Sequence, residues 1–444
     1  MGIFGTSGIR DLCPGKITPD LVMSVANILC SKEREVAVAY DSRRTGQMLK
    51  SAVISGATMA GANAFDLGVC PTPTLSYFSQ LRKCPAIMIT ASHNPYEYNG
   101  IKLFSLGLEL SSKKEEEIES ALNAKTKTQV EWNLCGQVFD AHSQASDAHI
   151  RTILSNIDVS SIKKAKPKVA IDCANMAASE ISPLTLSKCG CKVVSQNCNS
   201  GEICLHPPEP KEGNLDSLCE LVASSGSDLG IAHDGDADRA IIIDENGKIL
   251  GLDAQLAIAV NYTLSKNEGA KIISTVESSL SLRNIVEKNG GTLEITPVGS
   301  MKVAAKMRQT KAIFGGEPCG EYIFSNAVGS PDGIMTGAFF AQIFSEEGKL
   351  SALCSKVEKY PIQRDKISCS NSKKPDAMKK IGSKWPFSTP NKSDGLRSDE
   401  NWGWVLVRPS GTEPYIRITI EAKTQGELDK NLEKISRIVK DACV

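Results

Sequence analysis

Short apolar runs alternate with amphipathic stretches along most of this chain, and a chain patterned that way has few folds open to it. Residues 36–40 read as a strand and 47–60 as a helix, while 74–81 read as a helix feeding a buried strand at 86–89. A second unit starts near Ser146, with strands at 169–173 and 192–196, a helix at 215–223 and a strand at 228–232. A third begins near Leu252, with strands at 271–276 and 312–314 and a helix opened by Asp332 and running to Phe344. Such alternation predicts α/β units around mixed, mostly parallel sheets. At 444 residues the chain is too long for one core. After Tyr360 the texture changes: Lys, Ser, Pro and Asn dominate to about Ser398, with turn signals at 389–391 and 394–395. Strands at 404–407 and 415–421 and an amphipathic helix at 425–439 then follow. The expected fold class is three consecutive α/β domains, 1–145, 146–251 and 252–360, plus a small C-terminal α+β domain, 361–444.

Composition narrows the function. Hydrophobic content of 41% and 23% charged residues suit a soluble globular protein. The formal charge is zero, so no global field draws nucleic acid or an acidic membrane, and any anion site must be local. No apolar stretch approaches the roughly 20 residues that span a bilayer. The first residues, MGIFGTSGIRD, have neither the basic nor the apolar region of an export signal, so a cytoplasmic protein is expected. Fifteen cysteines, an odd number, argue against a complete disulfide framework. The one cluster, Cys189, Cys191, Cys198 and Cys204, matches no usual zinc spacing. The run 113–119 reads as a solvated helix face.

Chemistry concentrates in loops. Residues 89–104, ITASHNPYEYNGIKLF, place Ser92 at the tip of a buried strand, beside His93 and Asn94, with Lys102 following. A hydroxyl there, near an imidazole, an amide and an ammonium, suits carrying a phosphoryl group. The glycines that flank the serine in an acyl-hydrolase elbow are missing. In 234–239, DGDADR, Asp234, Asp236 and Asp238 can converge on one hard cation, and Arg239 follows. The second half of an EF-hand loop is absent, so the pattern fits Mg²⁺ with a phosphate supplying a further oxygen. In 408–414, RPSGTEP, Arg408, Ser410, Gly411 and Thr412, with Arg417 on the next strand, have the makings of a phosphate clamp. The loop 315–321, GGEPCGE, offers carboxylates to sugar hydroxyls. The segment 4–10, FGTSGIR, is a Gly-rich, hydroxyl-bearing turn ending in Arg10.

These five segments, in their order along the chain, resemble the α-D-phosphohexomutase superfamily of phosphoglucomutase, phosphomannomutase and phosphoglucosamine mutase. HPPEP at 206–210 and TPVG at 296–299 agree as well, so the likeness spans essentially the whole chain. The resemblance implies four domains in a heart shape around a central cleft. It implies that Ser92 is a phosphoserine and that Asp234, Asp236 and Asp238 hold Mg²⁺ against it, with Arg239 neutralising charge nearby. Arg10, His93 and Lys102 would flank the phosphoserine and assist proton transfer. Glu317 and Cys319 would contact sugar hydroxyls, and Arg408, Ser410, Gly411, Thr412 and Arg417 would hold the phosphate already on the sugar. A sugar bisphosphate would be intermediate and activator, and the partners would be small sugar phosphates, with the protein a monomer or homodimer.

Three positions depart from the family pattern. Cys319 and Glu321 stand where GE-x-S-G-H is frequent, and Asp11 stands where glycine is. A carboxylate at 321 suits a cationic 2-amino group, which favours glucosamine phosphate over other hexose or pentose phosphates. Two rival readings are a metal-dependent phosphomonoesterase and a non-catalytic sugar-phosphate sensor. The first wants more metal ligands than one acidic cluster supplies, and the second leaves every filled catalytic position unexplained.

Overall fold

Val36, Ala37, Val38 and Ala39 are all fully buried, as are Ala86, Ile87, Met88 and Ile89, so both runs make strands covered on two faces. The computed structural model describes residues 2–5, 7–201, 205–410 and 413–443. The chain divides into two units: Met1–Leu252 with Cys319–Cys354, and Asp253–Pro318 with Ser355–Val444.

The first unit holds two mixed sheets. In one, the order is Ile9–Leu12, Tyr98–Ser105, Pro85–Ile89, Glu35–Tyr40, Asn63–Val69 and Val138–Asp140, with Leu108–Glu109 pairing Tyr98–Ser105. The inner and far strands run parallel, whereas Ile9–Leu12 and Tyr98–Ser105 are antiparallel additions at one side. That antiparallel return is what brings Lys102 back beside Met88, four residues before Ser92. Helix Pro19–Cys30 starts where Thr18 caps it, accepting from the Leu21 N–H. The second sheet runs Ala240–Ile243, Leu229–His233, Lys168–Asp172, Lys192–Gln196, with only the first pair antiparallel. Helix Gly333–Glu347, capped by Asp332 as expected, is buried along most of its length within this unit.

The second unit has a parallel core in which Lys271–Thr275 is flanked by Thr292–Thr296 and Phe314–Gly316. Its last part is an antiparallel sheet ordered Ile362–Ser368, Tyr415–Ala422, Gly403–Pro409, Leu396–Glu400. Helices Lys374–Ser383 and Gln425–Cys443 pack on it through Ala377, Ile381, Leu428, Ile435 and Val439. No helix among the described residues is long and apolar enough to cross a membrane.

Three expectations need correction. The stretch 361–398 is not a run of turns: it contains strand Ile362–Ser368, helix Lys374–Ser383 and strand Leu396–Glu400. The strand lies at a sheet edge with half its residues exposed, and the helix buries only Lys374, Ala377 and Ile381, so neither needed an apolar sequence. The strand placed at 312–314 begins instead at Phe314, because Lys311 ends the preceding helix in a left-handed turn at φ 56°. The boundary between 145 and 146 falls inside helix His142–Asn156. In the cysteine cluster Cys189 and Cys191 are buried free thiols, Cys198 is half-buried, and Cys204 lies outside the described residues.

Candidate active site

Asp41 and Ser92 both emerge from the carboxyl ends of neighbouring parallel strands, Glu35–Tyr40 and Pro85–Ile89. The Thr90 hydroxyl donates to Asp41 Oδ2 (2.7 Å) and accepts from the Ser92 N–H (2.8 Å). Ser92 itself takes φ 50°, in the left-handed region that a non-glycine residue occupies at a cost of roughly 1–2 kcal/mol. What holds it there is Arg43, fully buried and paired with Asp41 at 2.9 Å. Its guanidinium donates to the carbonyls of Ser92 (2.7 Å), Asn94 (2.7 Å), Pro95 (2.6 Å) and Tyr98 (3.1 Å). Sequence reasoning missed Asp41 and Arg43. The available signal was a D-x-R triplet at the end of an apolar strand.

The loop 234–239 follows strand Leu229–His233 and meets this serine directly. Ser92 Oγ donates to Asp234 Oδ2 at 2.9 Å and lies 3.3 Å from His93 Nδ1. A Cβ on Gly235 would fall 2.5 Å from the Ser92 carbonyl oxygen, so only glycine lets the two loops approach this closely. His233, another residue the sequence did not flag, braces the loop from behind: Nδ1 faces the Arg239 carbonyl at 2.9 Å and Nε2 faces the Ser182 hydroxyl at 2.8 Å.

Asp234, Asp236 and Asp238 are all buried, and each offers an oxygen within 4.8 Å of the others. Lys102 Nζ bonds Oδ2 of Asp236 (2.6 Å) and Oδ2 of Asp238 (2.7 Å). Oδ1 of each of these carboxylates is buried with no hydrogen-bond donor among the described residues. Buried orphan oxygens are costly unless something positive meets them. An all-oxygen donor set of this kind fits a hard divalent cation, and the chemistry of the residues present agrees with the resemblance.

The electrostatics are sharply divided. Burial raises the Asp234 carboxyl, and repulsion from Asp238 and Asp236 raises it further. Burial also opposes charge on Asp236, but the Lys102 and Arg10 cations overcome it and hold that carboxyl below its usual range. Lys102 is likewise desolvated, yet Asp236 and Asp238 hold its ammonium above the ordinary lysine range. His93 moves the other way, to about 4, through burial and then the nearby Arg239 and Arg10. Its imidazole is neutral at neutral pH. Arg10 lies on strand Ile9–Leu12 opposite Gly100, and its Nε is buried without a partner among the described residues.

Arg239 and Glu321 pair at 2.8 Å through Nη2 and at 3.0 Å through Nε. Glu321, the carboxylate expected to suit a substrate amine, is thus bonded to Arg239. Cys319 lies in the same unit as this pair and is half-buried.

In the second unit, Glu317 follows strand Phe314–Gly316 and accepts from the Gly299 N–H at 3.0 Å. Arg408 reaches Glu277 (3.1 Å) and Asp394 (3.4 Å). Directly across the strand pair from Arg408 stands Arg417, half exposed and 3.5 Å from Glu413. Two guanidinium groups opposite one another repel unless an anion sits between them. The Ser410 hydroxyl accepts from the Glu413 N–H (3.2 Å), and buried Lys374 donates to the carbonyls of Ser410 and Glu413, both at 2.5 Å. Lys374 is a third cation at this loop that the sequence did not reveal. Gly411 and Thr412 lie outside the described residues.

Comparison with known proteins agrees with this chemistry. Residues 1–129, 147–247 and 252–360 match "Phosphoglucomutase/phosphomannomutase, alpha/beta/alpha" domains I, II and III, and residues 366–438 match that family's C-terminal domain. A protein named "Probable phosphoglucosamine mutase" from Methanosphaera stadtmanae is 38% identical over 98% of this chain and 97% of its own. The "Phosphoglucosamine mutase" of Methanocaldococcus jannaschii is 36% identical over 99% of this chain and 98% of its own. Among solved structures, a phosphoglucomutase/phosphomannomutase family protein from Burkholderia thailandensis superposes with a TM-score of 0.87 at 26% identity, covering 99% of this chain and 97% of that one. Paramecium parafusin, a phosphoglucomutase, shares the fold with a TM-score of 0.79 at 17% identity, over 99% of this chain and 94% of its own. This chain belongs to the phosphoglucomutase/phosphomannomutase family of α-D-phosphohexomutases, which are intramolecular phosphotransferases.

Proposed function

We propose that this enzyme interconverts the 6- and 1-phosphates of glucosamine, through a phosphorylated Ser92 and a bisphosphorylated sugar. The observation that carries the chemistry is the buried Ser92 hydroxyl, 2.9 Å from Asp234 in a buried nest of three carboxylates. The preference for glucosamine phosphate rests on the full-length relatives that bear that name, because Glu321 is already paired with Arg239.

Each residue has a task in this reading. Phospho-Ser92 gives its phosphoryl group to a sugar hydroxyl, and Ser92 Oγ takes one back from the other end of the bisphosphate. The proton that the sugar hydroxyl loses ends on Ser92 Oγ, and goes back to a sugar oxygen when Oγ is phosphorylated again; His93, neutral and 3.3 Å from Oγ, relays it. Lys102, Arg10 and Arg239 remain charged and stabilise the loose transition state. Asp234, Asp236 and Asp238, with an oxygen of phospho-Ser92, would hold Mg²⁺, which supplies positive charge to the phosphoryl oxygens. Arg408, Ser410, Gly411, Thr412 and Arg417 grip the phosphate that is not reacting. Glu317 and Cys319 bind sugar hydroxyls.

A sugar bisphosphate as activator restores any Ser92 left unphosphorylated. Four domains form part of this reading. Family matches starting at 147, 252 and 366 support the joints. Free thiols throughout the described cysteines support a reducing, cytoplasmic setting.

A panel of hexosamine, hexose and pentose 1-phosphates, each assayed with a catalytic amount of its bisphosphate, tests the substrate. Glucosamine 1-phosphate is expected to give the highest kcat/KM. A higher value for glucose or mannose 1-phosphate would assign the enzyme to hexoses.

A further inference from the structure

The bare oxygens of the acidic loop have to be aimed, and the loop alone does not aim them. Asp236 Oδ2 accepts from Lys102 Nζ and from the Thr72 hydroxyl, each at 2.6 Å. The Thr72 N–H also donates to the Asp236 carbonyl (2.9 Å). Thr72, the first residue of helix Thr72–Arg82, therefore fixes both the backbone and the carboxylate rotation of Asp236, and leaves Oδ1 unbonded.

Two residues along that helix a second chain of bonds begins. Thr74 Oγ1 lies 2.8 Å from His149 Nδ1, and His149 Nε2 lies 2.8 Å from Asp332 Oδ2. All three residues are fully buried. A proton on Nε2 donated to Asp332 leaves Nδ1 to accept from Thr74, so one neutral tautomer satisfies every partner. Complete burial denies Thr74 any contact with a substrate, so the arrangement is not a nucleophile triad. Asp332 uses its other oxygen to cap helix Gly333–Glu347, accepting from Met335 N–H at 2.9 Å. The Gly333 N–H then donates to the Ala237 carbonyl at 3.1 Å. A Cβ on Gly333 would lie 2.2 Å from the Arg239 carbonyl oxygen, so this helix end abuts the acidic loop.

The circuit thus leaves the loop at Asp236, crosses three helices and returns at Ala237. We propose that Thr72, Thr74, His149 and Asp332 form a brace that sets the unbonded oxygen of Asp236 for a metal ion. They are positioning residues, and the inference rests on the reading of the three aspartates as metal ligands.

Mn²⁺ titrated calorimetrically into the purified, dephosphorylated full-length protein tests it without any turnover. Thr72→Val keeps the shape and removes the hydroxyl, and is expected to weaken Mn²⁺ binding about tenfold, the usual effect of losing a group that orients a ligand. Thr72→Ser restores the hydroxyl and should bind within about twofold of wild type. His149→Gln, which touches no residue of the loop, should weaken binding by at least about threefold while the thermal transition stays cooperative. If His149→Gln does not fold, the two Thr72 variants decide the question. Wild-type affinity in Thr72→Val, or in a folded His149→Gln, overturns the brace. A wild-type protein that binds no Mn²⁺ overturns the metal reading itself, and the brace with it.

Discussion

Ser92 holds a backbone conformation that costs energy, and the buried Arg43 repays it by closing four carbonyls of 92–98 onto one guanidinium. Arg43→Met should therefore destabilise the protein by about 3–5 kcal/mol, since it strands the buried Asp41 charge. Urea denaturation monitored by circular dichroism measures this, and a loss below about 1 kcal/mol would contradict the latch. Ser92→Ala should leave the fold intact and reduce turnover to less than about a tenth of wild type, because covalent catalysis has no substitute hydroxyl there. Steady-state rates of that variant decide the point. Ser92 and the three aspartates were legible from sequence because each lies in a dense polar motif, and Lys102 because it is a lone cation in the apolar run 101–104 that follows Asn99 and Gly100. Lys374 and His233 were not, because their function is to bond backbone carbonyls or a lone hydroxyl, and such partners leave no pattern in the residue types; Arg43 left only its triplet with Asp41.

Strands covered on both faces announce themselves by composition, and so Glu35–Tyr40, Pro85–Ile89 and Lys168–Asp172 stood close to where they were expected. Elements with one narrow buried stripe do not, which is why Ile362–Ser368 and Lys374–Ser383 were hidden among polar residues. Beyond the end of strand Lys168–Asp172, His206 Nε2 meets Asp172 Oδ1 at 3.2 Å. The hydrogen bond to Asp172 raises the His206 imidazole above 6.5, against a smaller effect of burial. A group raised on folding stabilises below its unfolded value of 6.5 and loses that contribution as pH rises through the folded value. Asp172 is desolvated but held below 3.8 by His206 and by the Ala174 N–H, so its contribution is lost only as pH falls through that lowered value. Between wild type and His206→Asn, the difference in Tm should therefore be largest at mildly acidic pH and should shrink in alkali. Melting curves across that range check the sign.

The proposed function divides the chemistry between a phosphoryl donor and an anion grip, and whole-molecule predictions follow from that division. Excess EDTA should abolish turnover, Mg²⁺ should restore it, and Asp236→Asn should weaken the metal requirement's apparent affinity; full activity in EDTA would remove the metal from the mechanism. Arg417→Ala and Ser410→Ala should raise KM for the sugar phosphate by about 10- to 150-fold, while Ser92 is still phosphorylated by the bisphosphate. Intact-mass spectra beside the kinetics separate those effects. One unit is also built from two separated stretches, because residues 319–354 return to the unit that the first 252 residues began. During synthesis the acidic loop emerges about a hundred residues before Gly333, whose N–H it must bond. At translation rates of about 5–20 residues per second, the loop waits roughly five to twenty seconds for that partner. The nascent enzyme is thus exposed, with three aspartates and a hydroxyl already clustered, before the helix that steadies them exists.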